Sequence, residues 1–85
     1  MEIYFSTHFE RKFKKLPEEV KADVDRAITK FQTNPNDPRL AIHKLSGAMK
    51  GREAFSVNFK YRIVFVWESK DLVRLYDVGT HNIYD

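Results

Sequence analysis

Eighty-five residues fit one domain, expected to span 1–85. The chain has no cysteine, which excludes disulfides and thiolate metal sites, and its 42% hydrophobic and 14% aromatic content supplies core material. The net charge of +3 is a mild basic bias that by itself fits an ordinary soluble surface as well as an anionic partner. No apolar run reaches the roughly 18 residues of a membrane span. The N-terminus lacks a basic segment followed by an apolar one, so no signal peptide is expected and the cytoplasm is the expected compartment.

Glu2 to Ser6 reads as a short strand. Thr7-His8-Phe9-Glu10 matches a capping box, with the Thr7 hydroxyl expected to accept from the Glu10 amide. Phe9, Phe13 and Leu16 then form one apolar helix stripe, and Arg11, Lys12, Lys14 and Lys15 lie mostly off it. Pro17 suits the first turn of a second helix, followed by Glu18 and Glu19 at its positive end. Val20, Val24, Ala27, Ile28 and Phe31 give an amphipathic pattern, which Thr33 to Pro38 terminates. Leu40, Ile42 and Leu45 anchor a connecting segment. Gly47 and Gly51 bracket a loop containing Lys50.

The last third reads as strands. Glu53 to Asn58 alternates, Phe59-Lys60 is a turn or bulge, and Tyr61 to Trp67 is a central strand, apolar on both faces. Glu68 to Asp71 is a hairpin turn. Leu72 to Val78 is the final strand, ended by Gly79. The expected fold is α+β, in the order β-α-α-β-β-β, with two N-terminal helices packed on one face of a small, mainly antiparallel sheet.

Two groups stand out chemically. Arg62 lies inside the central strand, and a Gly-Thr-His at Gly79 to His81 follows the last one. A guanidinium and an imidazole on one sheet, with Ser56, Lys60, Tyr61 and Tyr84 as neighbours, form a group able to bind and cleave a phosphodiester without a metal. Each has a structural alternative. Arg62 could pair with Asp77 or Glu53, or run its stem to the rim. His81 could cap a local carbonyl, and Tyr84 could pack as a terminal aromatic or stack on a base. Ser56 and Lys60 could be a strand and a turn residue facing solvent, and His43 could project to either side of its segment. The basic run at Arg11 to Lys15 reads as a solvated helix face, and His8 as a first-turn residue. The three histidines lack metal-ligand spacing, so no metal or other cofactor is expected. There is no phosphate-binding glycine loop and no nucleophile elbow.

The pieces FERKFKKLP (Phe9–Pro17), NPNDPRL (Asn34–Leu40), HKLSGAMKG (His43–Gly51), FSVNFKYRIVFVW (Phe55–Trp67) and VGTHNIY (Val78–Tyr84) occur in order along the chain. This ordered set resembles the RelE/ParE superfamily of type II toxins, in its RelE and YafQ-like branch. The resemblance implies a ribosome-dependent mRNA endoribonuclease neutralised by an antitoxin, whose joint complex binds operator DNA. Arg62 matches the arginine of the family's Tyr-Arg-(Leu/Ile)-Val strand, and His81 matches the catalytic histidine of Gly-Thr-His. Tyr84 is the nearest match to a C-terminal aromatic, and His43 matches a histidine before Leu-x-Gly. The implied site is Arg62, His81 and Tyr84 for catalysis, with His43, Lys50, Ser56, Lys60 and Tyr61 as RNA contacts.

The chain departs from the family pattern at Ala54, Ser56 and Lys60, where relatives carry lysines, a second histidine or an acid. Two other readings of the resemblance stand beside the nuclease. One is a ParE-like inhibitor of DNA gyrase; the other is a degenerate toxin that only binds its antitoxin.

Overall fold

The computed structural model describes residues 1–80, so His81 and Tyr84 lie outside the described residues. The elements run β1 (Glu2–Phe5), α1 (Thr7–Lys14), α2 (Glu18–Thr33), a 3-10 turn (Pro38–Leu40), β2 (His43–Lys44), a second 3-10 turn (Gly47–Met49), β3 (Glu53–Ser56), β4 (Tyr61–Trp67) and β5 (Leu72–Thr80). The sheet order is β1-β5-β4-β3-β2, with β1 parallel to β5 and the other ladders antiparallel. The helices pack on one face, as the period-3.6 pattern required. Among the described residues no helix is long and apolar enough to cross a membrane.

Phe31 of α2 is the centre of the core. Its ring lies 4.6 Å from Phe55 and 4.9 Å from Phe65, measured between centroids. Val20, Val24 and Ala27 share its helix face and are buried with it, and Ile28 packs at the margin. Ile63 and Phe65 of β4, and Val73, Leu75 and Val78 of β5, complete the layer. Burying an aromatic side chain of this size is worth about 1.5–3 kcal/mol.

Four features differ from the sequence expectation. The first is the α1 cap: Ser6 holds it, not Thr7. The Ser6 hydroxyl accepts from the Phe9 amide at 3.0 Å and donates to the Tyr76 carbonyl at 2.9 Å, tying the helix start to β5. Second, the connecting segment contains a strand. His43–Lys44 pairs with Ala54 and Glu53, and at two exposed residues it carries no alternation to betray it.

Third, β5 does not end at Gly79. It runs through Gly79 to Thr80, and Gly79 pairs with Arg62. Fourth, the register between β4 and β5 shifts, because Val64 pairs with Asp77 while Phe65 pairs with Leu75. Tyr76 is therefore an extra residue, a β-bulge. It reverses the parity of β5: Val73 and Leu75 face the helices, Asp77 faces away, and Val78 returns to the core.

The outward Asp77 is only 7% exposed and is compensated. Its carboxylate lies 3.0 Å from Lys12 Nζ and 3.1 Å from His8 Nε2, and accepts from the Val78 amide at 2.8 Å. A buried carboxylate needs such partners. Lys12 is thus drawn out of the solvated basic face in which the sequence placed it. Ala54 and Val64 are also fully buried, yet they lie on the side of the sheet away from the helices, so that face is not uniformly open.

The segment after α2 is locked by Asp37. One of its oxygens caps the Arg39 amide at 2.9 Å, and the two carboxylate oxygens hold the Arg39 guanidinium at 3.1 and 2.8 Å. These bonds to Arg39 pull the Asp37 carboxyl down to about 2, from 3.8. Leu40 is buried behind this lock, and the chain leaves it through Ala41 in the left-handed region at φ 49°.

Two outcomes follow for stability. Ser6→Ala should cost about 0.5–2 kcal/mol in urea denaturation, the usual cost of a lost cap, while Thr7→Ala should cost less. Equal losses would return the cap to Thr7. A carboxyl whose pKa is depressed by folding contributes stability above its unfolded value and loses it as pH falls through the folded one. Asp37→Asn should therefore be less stable than the unsubstituted chain at pH 6. That gap should shrink below about pH 4 and close near pH 2, from the 3.8 and about 2 of this carboxyl. A gap independent of pH would mean that the Asp37 charge contributes nothing.

Candidate phosphate-binding groove

The β3–β4 turn organises the candidate site, and Asn58 organises the turn. The Asn58 side-chain oxygen accepts from the Lys60 amide at 2.9 Å and the Tyr61 amide at 2.8 Å. This is the local pairing that makes Asn a turn residue. The Asn58 amide nitrogen donates to Asp23 of α2 at 2.9 Å, so the turn is also pinned to the helix layer. That hydrogen bond, assisted by Arg26, lowers the Asp23 carboxyl below its ordinary value. Val57 and Tyr61 close the hairpin through a 3.0 Å backbone bond.

Arg62 is anchored to the same turn. Its Nη1 donates to the Asn58 and Tyr61 carbonyls, each at 2.9 Å. Among the described residues Arg62 has no carboxylate partner, so neither Asp77 nor Glu53 pairs with it. With Nη1 committed, the Nε–Nη2 edge is the part of the fork left for an anion, and two parallel N–H donors match a phosphate. In the ladder Arg62 lies between Ser56 and Gly79, on the sheet face away from the helices. Gly79 has no side chain to cover it.

Around this guanidinium lies an open groove of about 610 Å³. Ser56, Lys60 and Arg62 line it, as do Lys30, Arg39, Val57, Asn58 and Phe59. No carboxylate lines it. Asp37 neutralises part of the field from outside, because it holds Arg39 and also feels Lys30. Lys60 and Arg62 carry no ion pair among the described residues.

The residues singled out in the sequence divide accordingly. Ser56, Lys60 and Arg62 come together. His43 sits on the same sheet face but two ladder positions away, opposite Ala54, with Nδ1 3.1 Å from the Ala41 carbonyl. Lys50 is exposed in the loop after the second 3-10 turn and does not line the groove. Tyr61 is half-buried and packs against the core, on the face opposite Arg62, because neighbours in a strand point to opposite sides. His81 and Tyr84 lie outside the described residues.

Sequence reading missed Lys30, Arg39, Asn58 and Phe59. Two carried a signal. Asn58 heads a turn between two strands, and Asp37-Pro38-Arg39 is a capped turn that fixes an arginine. Lys30 is one of several lysines on a helix, and only the fold selects it.

A second, larger groove of about 670 Å³ lies between β1, α1 and α2. Ile3, Phe5, Phe9, Phe13 and Ile28 give it an apolar floor, and Glu10, Lys14 and Asp25 stand on its rim. It has the character of a docking surface rather than of a reaction site.

No family model matches this chain, and no curated protein matches it. Solved structures do. YafQ from E. coli strain BL21(DE3) superposes with a TM-score of 0.80 at 19% identity, covering 96% of this chain and 94% of that one. The YoeB/ParE toxin from Agrobacterium tumefaciens gives 0.76 at 13% identity, covering 95% and 99%. The E. coli DinJ-YafQ toxin-antitoxin complex gives 0.76 at 20% identity, covering 96% and 93%. At these identities the likeness is one of fold. The arrangement of helices and sheet built from this sequence is the fold of these YafQ and YoeB/ParE structures.

Proposed function

We propose that this chain is the toxin of a toxin–antitoxin pair and acts as a ribosome-dependent mRNA endoribonuclease that needs no metal. The observation that carries the reading is Arg62: a guanidinium held by two turn carbonyls, without a carboxylate partner among the described residues, in a groove lined by cations. The fold likeness to YafQ and YoeB supports it.

The chemistry is an internal transfer. The RNA 2′-oxygen attacks the adjacent phosphorus, the bond to the 5′-oxygen breaks, and a 2′,3′-cyclic phosphate and a 5′-hydroxyl remain. One group takes the 2′ proton and another protonates the departing oxygen. Arg62 supplies charge to the phosphorane, where preorganised donors act most strongly. His81 is the acid or base. It follows Thr80 directly and stands two residues beyond Gly79, the ladder partner of Arg62. Ser56 and Lys60 hold flanking phosphates, and Tyr84 orients a base. His43, two ladder positions away, is a secondary contact.

The antitoxin is the second partner. The solved DinJ-YafQ complex pairs a chain of this fold with an antitoxin. On this chain the apolar groove between β1, α1 and α2 offers a surface for the apolar face of an inhibitor that orders as it binds.

Cleavage of mRNA on programmed ribosomes tests the reading. Arg62→Ala should lower the cleavage rate by about 10²–10³-fold with folding retained. Arg62→Lys should recover little, since an ammonium cannot reproduce the fork. Near-normal cleavage by the lysine variant would reduce the requirement to a point charge. Unchanged cleavage by the alanine variant would remove Arg62 from the reaction. His81→Ala should lower the rate by about 10²–10⁴-fold while antitoxin binding persists. Full activity in that variant would leave the proton transfer to another group.

A further inference from the structure

Phe59 is 98% exposed, whereas the other exposed large apolar side chains among the described residues, Met1, Tyr4, Phe5 and Trp67, range from 38% to 56%. A single exposed apolar residue needs no explanation by itself. Two further observations set this one apart. The turn that carries it is clamped, because Asn58 binds the amides of Lys60 and Tyr61 and reaches Asp23. Phe59 also borders the groove lined by Lys30, Arg39, Lys60 and Arg62. An exposed aromatic on a held turn amid cations suits a polyanion that carries flat apolar faces.

We propose that Phe59 is a stacking platform for an unpaired RNA base, with Lys30 and Lys60 on the phosphates beside it. The inference rests on the nuclease reading and extends it by one nucleotide outside the scissile step. Continuity decides for RNA over a protein ligand, because the platform and Arg62 line the same groove. Arg39 contributes less than its formal charge, being held by Asp37. Stacking of this kind reads no particular base edge, so it adds affinity with little sequence preference.

The test is binding of the full chain to a fluorescent single-stranded 2′-O-methyl ten-nucleotide RNA, which resists attack by its own 2′-oxygen and so separates binding from cleavage. Phe59→Ala should weaken binding about 5- to 150-fold, the range of one lost base stack, and Phe59→Trp should retain it. Lys30→Ala should reduce the slope of log affinity against log salt by about 0.7, as for one lost phosphate contact on a single strand. Because the ring is almost fully exposed, the Phe59 variants should melt with the unsubstituted chain.

Unchanged affinity in Phe59→Ala, or no binding by the unsubstituted chain, overturns the platform. So does a loss confined to antitoxin binding, which would make the turn a protein contact. Ribosomal cleavage, measured separately, distinguishes the two readings. If cleavage depends on Arg62 but not on Phe59, and oligonucleotide binding is indifferent to Phe59, only the platform falls. If the oligonucleotide binds through Phe59 and no mRNA is cut, the platform stands and the nuclease reading falls.

Discussion

The constraint on which the site depends is the Asn58 turn. A guanidinium on a strand has long reach and many rotamers, and fixing one costs side-chain entropy. Here the cost is met locally: Nη1 of Arg62 bonds to the Asn58 and Tyr61 carbonyls, and the Asn58 side chain keeps those carbonyls in place. The tie from Asn58 to Asp23 then makes the arginine's position a property of helix–sheet packing as well as of the hairpin. Through that packing the Phe31 cluster supports the groove, and Val57 both packs against the core and lines that groove.

A second constraint is the bulge at Tyr76. Without it Asp77 would turn into the apolar layer and Val78 out of it. With it, β5 places an acid where His8 and Lys12 of α1 can reach it, and continues to Gly79 beside Arg62. The Ser6 hydroxyl bonds the carbonyl of the bulged residue itself, so the start of α1 and the parity change are joined at one point. The Arg52 guanidinium lies over the Tyr76 ring, 4.0 Å from its centre. The electrostatics are therefore divided. Lys12 of α1 is compensated by Asp77, whereas the charge around Arg62 is compensated only in part, through Asp37.

Much of this was legible in the sequence for definite reasons. Tyr61–Trp67 alternates over seven residues, so its extent and its central place could be read. Val20 to Phe31 repeats at helical spacing and packs as that spacing demands. Arg62 stood out because a charge in a central strand needs a cause. The rest depends on contacts that sequence does not encode locally. Ser6 and Thr7 are both competent caps, and only the carbonyl of Tyr76 chooses between them. His43–Lys44 is too short to show a period. The bulge is a difference in count between two strands, which neither strand reveals alone. Lys30 and Arg39 are separated from Arg62 along the chain and meet it only where the end of α2 and the Asp37 turn approach β3. Alternation alone turns Tyr61 from Arg62.

The central claim is that the turn acts through Arg62 to fix the cation of the reaction. A double-mutant cycle on ribosomal mRNA cleavage tests it most directly, with Asn58→Ala, Arg62→Ala and the pair, all checked for folding. The account predicts that Asn58→Ala slows cleavage while Arg62 is present and adds almost no further loss once Arg62 is gone. Independent, additive losses would contradict it, as would an Asn58→Ala variant that is folded and fully active.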